Sequence, residues 1–188
     1  MRLKGLAIIA VFFCFLTSCE NAPGIENPDK MEVLPYFDLK GFVNQEIEKL
    51  DGKNVTKISR INGVSEQSDR ITSTEEWKEE LGAFFDADIN KPSLIDSYTT
   101  EVEKDILIHR AKPEAKVSIQ EIRVRIVNDH PVWITFKGAS ESMFYTSFTH
   151  GGIYMNNREN RIDHYELETT QKIWFLKPNN MKIQGAIN

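Results

Sequence analysis

Residues 121–136 read EIRVRIVNDHPVWITF. Ile122, Val124 and Ile126 alternate with charged side chains, and Val132, Ile134 and Phe136 alternate again after Asn128-Asp129-His130-Pro131. A period of two puts every second side chain on one face of a strand, and Asn-Asp followed by proline is turn chemistry. The stretch therefore predicts two antiparallel strands joined by a tight turn, each with one apolar face.

The same grammar extends in both directions. Upstream, Val102, Ile106 and Ile108 share one parity and Val117 and Ile119 share the next. The phase then slips before Ile122, which predicts a β-bulge near Gln120 and Glu121. Downstream, turn signals recur at Ala139 to Ser142, Gly151-Gly152, Asn156 to Asn160 and Pro178-Asn179-Asn180. Short alternating runs between closely spaced turns predict an antiparallel meander.

Before Pro92 the period is helical. Leu39, Phe42, Val43, Ile47 and Leu50 recur on one face, with Asp38 placed to cap the start and Gly52 to end the helix. Ser73-Thr74-Glu75-Glu76 fits a capping box opening a second helix, with Trp77, Leu81, Phe84 and Phe85 on its apolar face. Val55 to Val64 reads as a strand between the two. The expected fold is α+β: two N-terminal amphipathic helices packed on a curved antiparallel sheet of about seven or eight strands. A closed β-barrel is the competing arrangement.

The chain opens differently. Arg2 and Lys4 precede Gly5 to Leu16, twelve apolar or small residues. Such a run spans about 18 Å as a helix, against a hydrocarbon core of about 30 Å, so it reads as a secretory leader. It ends in Leu16-Thr17-Ser18-Cys19. Those four residues resemble the lipobox of bacterial lipoprotein precursors. The resemblance implies cleavage before Cys19, acylation of its thiol and anchoring to a membrane. Expected boundaries are a signal peptide at 1–18, a lipidated cysteine with a flexible tether at 19–35, and one globular domain at 36–188. The tether carries Pro23, Gly24, Pro28 and Pro35, and its sixteen residues after Cys19 reach about 20–24 Å.

The 188 residues carry a formal net charge of −5, and loss of the leader removes two cations and no acid, leaving −7. That balance excludes a phosphate-backbone ligand. Cys14 and Cys19 are the only cysteines, so a globular part beginning at 36 has no thiolate for a disulfide framework, a zinc site or a nucleophile.

Other chemistry is sparse. Asp86-Ala87-Asp88-Ile89-Asn90 matches the start of a calcium loop, but Lys91 replaces the required glycine and Ser97 the bidentate glutamate. Gly138-Ala139-Ser140-Glu141-Ser142 lacks the last glycine of a nucleophile elbow. Of the four histidines, His150 and His164 would approach each other if their strands pair, with Asp163 and Glu166 nearby. The aromatic-rich segment from Trp133 to Trp174 is more informative. In Phe144-Tyr145 and Ile173-Trp174-Phe175-Leu176 both faces of a strand carry apolar groups, which predicts either a fully buried strand or barrel interior, or a second face that binds a ligand. The sequence thus predicts a noncatalytic envelope module with no cofactor, binding an apolar ligand, a glycan or a partner protein. A structural lipoprotein docking on an outer-membrane complex is the alternative, and a hydrolase the third.

Overall fold

The computed structural model describes residues 34–188. In chain order they form α1 (Leu39–Lys49), β1 (Lys53–Ile61), β2 (Val64–Thr72), α2 (Thr74–Glu80), α3 (Gly82–Asp86) and a 3-10 turn at Pro92–Leu94. Seven strands follow: β3 (Tyr98–Glu103), β4 (Ile106–Ala111), β5 (Ile119–Val127), β6 (His130–Glu141), β7 (Tyr145–Asn156), β8 (Arg161–Ile173) and β9 (Asn179–Ile187). The strands make one sheet in the order β2-β1-β9-β8-β7-β6-β5-β4-β3, antiparallel throughout. β2 and β3 are its two edges. The sheet is open, which corrects the barrel alternative, and its nine strands exceed the seven or eight expected.

The additional strand lies where one strand was expected at Val55 to Val64. Asn62 and Gly63 both take positive φ, 50° and 90°, and fold the chain into a β1–β2 hairpin. Two consecutive positive φ values are the signature of a type I′ turn, which suits asparagine followed by glycine. β2 carries no apolar alternation because only its last residue, Thr72, is buried.

The deciding stretch forms β5 and β6 with Asn128 and Asp129 at the turn, φ 51° and 62°. The register steps from Ile119 opposite Gly138 to Glu121 opposite Lys137, so the bulge falls at Gln120 as expected. Two turn expectations are corrected. β6 runs through Ala139 to Glu141 before turning at Ser142, and Gly151-Gly152 lies inside β7.

Those glycines have a packing role. Directly opposed residues share a face, so Phe136 neighbours Gly151 and Tyr165 neighbours Gly185 on the core side. A Cβ on Gly151 would overlap the Phe136 ring, and one on Gly185 the Tyr165 ring. Each ring lies over the bare backbone of the next strand. The rings also meet helical aromatics: Phe84 stands edge-on to Phe136 at 5.3 Å, and Trp77 edge-on to Tyr165 at 6.1 Å.

The expected second helix is two. Ser73 and Glu76 form the capping box, but the helix ends at Glu80 and restarts at Gly82. Leu39, Val43, Ile47 and Leu50 of the first helix are fully buried, and Trp77 Nε1 donates to the Leu50 carbonyl at 2.9 Å. That indole bond ties α2 to the end of α1.

Candidate apolar binding site

Beyond α3 the core side of the sheet is lined by small residues. Ile119, Gly138, Thr149 and Thr169 oppose one another across β5 to β8, and Ser140 opposes Ser147 one step further along. Apart from Ile119 these side chains are small. They leave a cleft of about 230 Å³ walled by Ala83 and Ala87 of the helical segment and floored by Phe136, Leu167 and these residues. Asp86 is the one titratable group in its lining. Pockets for whole drug-sized ligands run about 300–1,000 Å³, so this cleft fits one apolar chain or side chain. A wider, more polar cavity of about 720 Å³ adjoins it, sharing Ser118, Ala139 and Ser140.

Of the residues singled out in the sequence, Cys19 lies outside the described residues. His150 and His164 are not brought together. His150 opposes Glu168, whereas His164 opposes Tyr154, four positions along the strands and thus about 13 Å away. His164 instead stacks on Tyr154, with ring centroids 4.5 Å apart, and its Nδ1 lies 2.8 Å from Asp163 Oδ2. A register shift between Tyr154 and Met155 leaves Asp163 as the extra residue of a bulge, which presents its carboxylate to His164. Tyr154 donates to Glu166 at 3.0 Å; burial, then that bond, raises its phenol above the ordinary value.

The calcium-like stretch is used for packing. Asn90 Oδ1 accepts from the Tyr36 amide at 3.1 Å and its Nδ2 donates to the Phe37 carbonyl at 3.0 Å. Burial raises the carboxyl of Asp88 above its usual range. Among the described residues, no three histidine, cysteine or acidic side chains are placed to hold a metal ion, and no helix is long and apolar enough to cross a membrane.

The aromatic clue is split. Phe136 and Tyr165 are buried on the core side, Tyr154 is half-buried on the opposite face, Phe148 is exposed within β7, and Phe144, Trp174, Phe175 and Leu176 are exposed at strand ends. Sequence reasoning missed the cleft. Its signal is a second alternation, of small residues: Gly138 and Ser140 in one strand, Ser147, Thr149 and Gly151 in the next. Comparison of the chain with protein-family models, with curated proteins and with solved structures finds no match.

Proposed function

We propose that the protein is a noncatalytic, lipid-anchored envelope module whose cleft receives a single apolar chain. The observation that carries this reading is the apolar cleft beside α3, with one carboxylate in its lining. In this proposal α1 and the α2–α3 pair are the helical layer over one face of the sheet. The Trp77–Tyr165 and Phe84–Phe136 contacts support that arrangement. Membrane attachment rests on the lipobox and Cys19. The hydrolase alternative, which rests on distant carboxylates or a histidine pair, loses the second, because His150 and His164 lie apart.

The test is uptake of dansyl-undecanoic acid by the chain as processed in the cell. The cleft reading expects dansyl emission to rise and shift to the blue, and Thr149→Trp, which fills the floor, to abolish the change while the far-ultraviolet circular dichroism is retained. No response from the unsubstituted protein overturns it.

A further inference from the structure

The antiparallel order places four connections at one end of the sheet: the charged 112–118 segment between β4 and β5, and three that carry large apolar side chains, Asn62-Gly63 between β1 and β2, Ser142 to Phe144 between β6 and β7, and Trp174 to Pro178 between β8 and β9. These three turns are bonded into one surface. Trp174 N donates to the Phe144 carbonyl at 2.9 Å, Asn62 N to the Asn180 carbonyl at 2.9 Å, and Asn62 Nδ2 to Asn179 Oδ1 at 2.9 Å. The side chains around them are apolar and in solvent. Met143 is 85% exposed, Phe175 78%, Trp174 76% and Val64 68%, with Phe144, Leu176 and Ile61 at 50–57%.

Most large apolar side chains of a folded domain that lie in water are scattered singly; seven gathered on three turns mark a contact surface. Its charge is one-sided as well. Within 61–64, 142–144 and 174–180 the only charged residue is Lys177, in a chain whose net charge is −5. Arg60, Lys172 and Lys182 flank these turns against Glu66 and Glu141.

We propose that this end of the sheet is a membrane-contact surface, seated in the headgroup and upper acyl region of a phospholipid bilayer. Tryptophan and phenylalanine on turn tips suit the bilayer interface, and cations at the shoulder reach lipid phosphates along their apolar stems. The entry point of the chain agrees. Tyr36 packs edge-on against Tyr98 at 5.5 Å, Tyr98 opens β3, and its hydroxyl donates to the carbonyl of Ile119, the first residue of β5. The first residues of β3 and β5 stand at the same end of the sheet as the three turns. Tyr36, close to where the described residues begin, therefore stands at the end that carries the apolar surface. A lipid anchor at Cys19 would hold the chain at the bilayer, and this apolar surface would add a contact made by the folded domain itself. The proposal does not rest on the cleft having a ligand.

The test uses the full chain as processed in the cell, reconstituted into vesicles of phosphatidylethanolamine and phosphatidylglycerol whose acyl chains are brominated near the headgroup. Bromine quenches only tryptophans that enter the lipid. The expected result is loss of the Trp174 component of emission, absent from Trp174→Phe and abolished by Phe175→Asp or Phe144→Asp. Equal emission in brominated and plain vesicles overturns the proposal, as does quenching that Trp174→Phe leaves unchanged. Protein-concentration-dependent shielding of Trp174 from acrylamide without lipid identifies a second copy of the chain as the occupant and also overturns it. Dansyl-undecanoic acid uptake is unaffected by Phe175→Asp, which keeps the two readings separable.

Discussion

Tyr165 and Glu80 lie 85 residues apart in sequence, and the tyrosine hydroxyl donates to Glu80 Oε1 at 2.8 Å. Glu80 is nearly enclosed and its other oxygen meets Lys57 Nζ at 2.7 Å and Arg70 at 3.3 Å. Burial, then the Glu80 charge, raises the phenol well above the tyrosine range, so it remains a proton donor. The bond fastens the end of α2 to β8.

Tyr165→Phe removes this bond while keeping the ring over Gly185 and against Trp77. Hydrogen bonds to charged acceptors contribute about 1.5–3 kcal/mol. A loss of stability of that size, read as a lower urea midpoint with an unchanged slope, is expected. A midpoint equal to that of the unsubstituted protein would show that the latch contributes nothing.

Two glycines give opposite outcomes. Gly151→Ala forces a methyl into the Phe136 ring, which is itself held by Phe84, and overpacking of this kind costs about 1–3 kcal/mol. Gly82 opens α3 with nothing within 4 Å of an added methyl and no positive φ, so Gly82→Ala is expected to stabilise by about 0.4–1 kcal/mol. Thermal denaturation of both variants checks the pair; a shift of the same sign in each refutes the ring-seating account.

Whether a feature is legible depends on how local its cause is. The Ser73 capping box, the Asp38 cap and the Asn128-Asp129 turn are settled within four residues, and each stands where its residues indicate. The Gln120 bulge is equally readable, as a phase slip in an apolar pattern. Gly151-Gly152 misleads because what keeps that segment extended is Phe136, a residue of another strand. β2 leaves no apolar trace because it is an edge strand wet on both faces. The cleft is defined by residues too small to pack, and an apolar count overlooks them.

His109 makes stability depend on pH. Its Nε2 accepts from the Phe37 amide at 3.0 Å, so Nδ1 carries the proton and donates to Thr100 Oγ1 at 2.9 Å. Burial lowers its pKa from 6.5 to about 4. Near pH 5 the unfolded chain binds a proton here that the folded chain does not, so stability falls as pH drops from 6.5 toward about 4. The slope from this group reaches about 1.4 kcal/mol per pH unit. His109→Gln, which keeps an acceptor for Phe37, is expected to flatten urea midpoints measured across that window. An unchanged profile removes His109 as the cause.

Among the described residues no strand pairs with the outer edge of β3, and its sequence, Tyr-Thr-Thr-Glu-Val-Glu, places two acids where another strand would add. Exposed edges template strand pairing between molecules, and charge on the edge opposes it. Glu101 faces solvent and pairs with Arg110 at 3.2 Å, while Val102 is largely exposed beside it. An exposed ion pair contributes about 0–1 kcal/mol, so its loss leaves the fold intact. Glu101→Val with Glu103→Val turns the second half of β3 into Val-Val-Val, a segment of high β-propensity with no charge. Light scattering should then show greater self-association than that of the unsubstituted chain at equal concentration, with the circular dichroism of the folded sheet retained. Equal scattering from both proteins would mean that something other than these acids protects the edge.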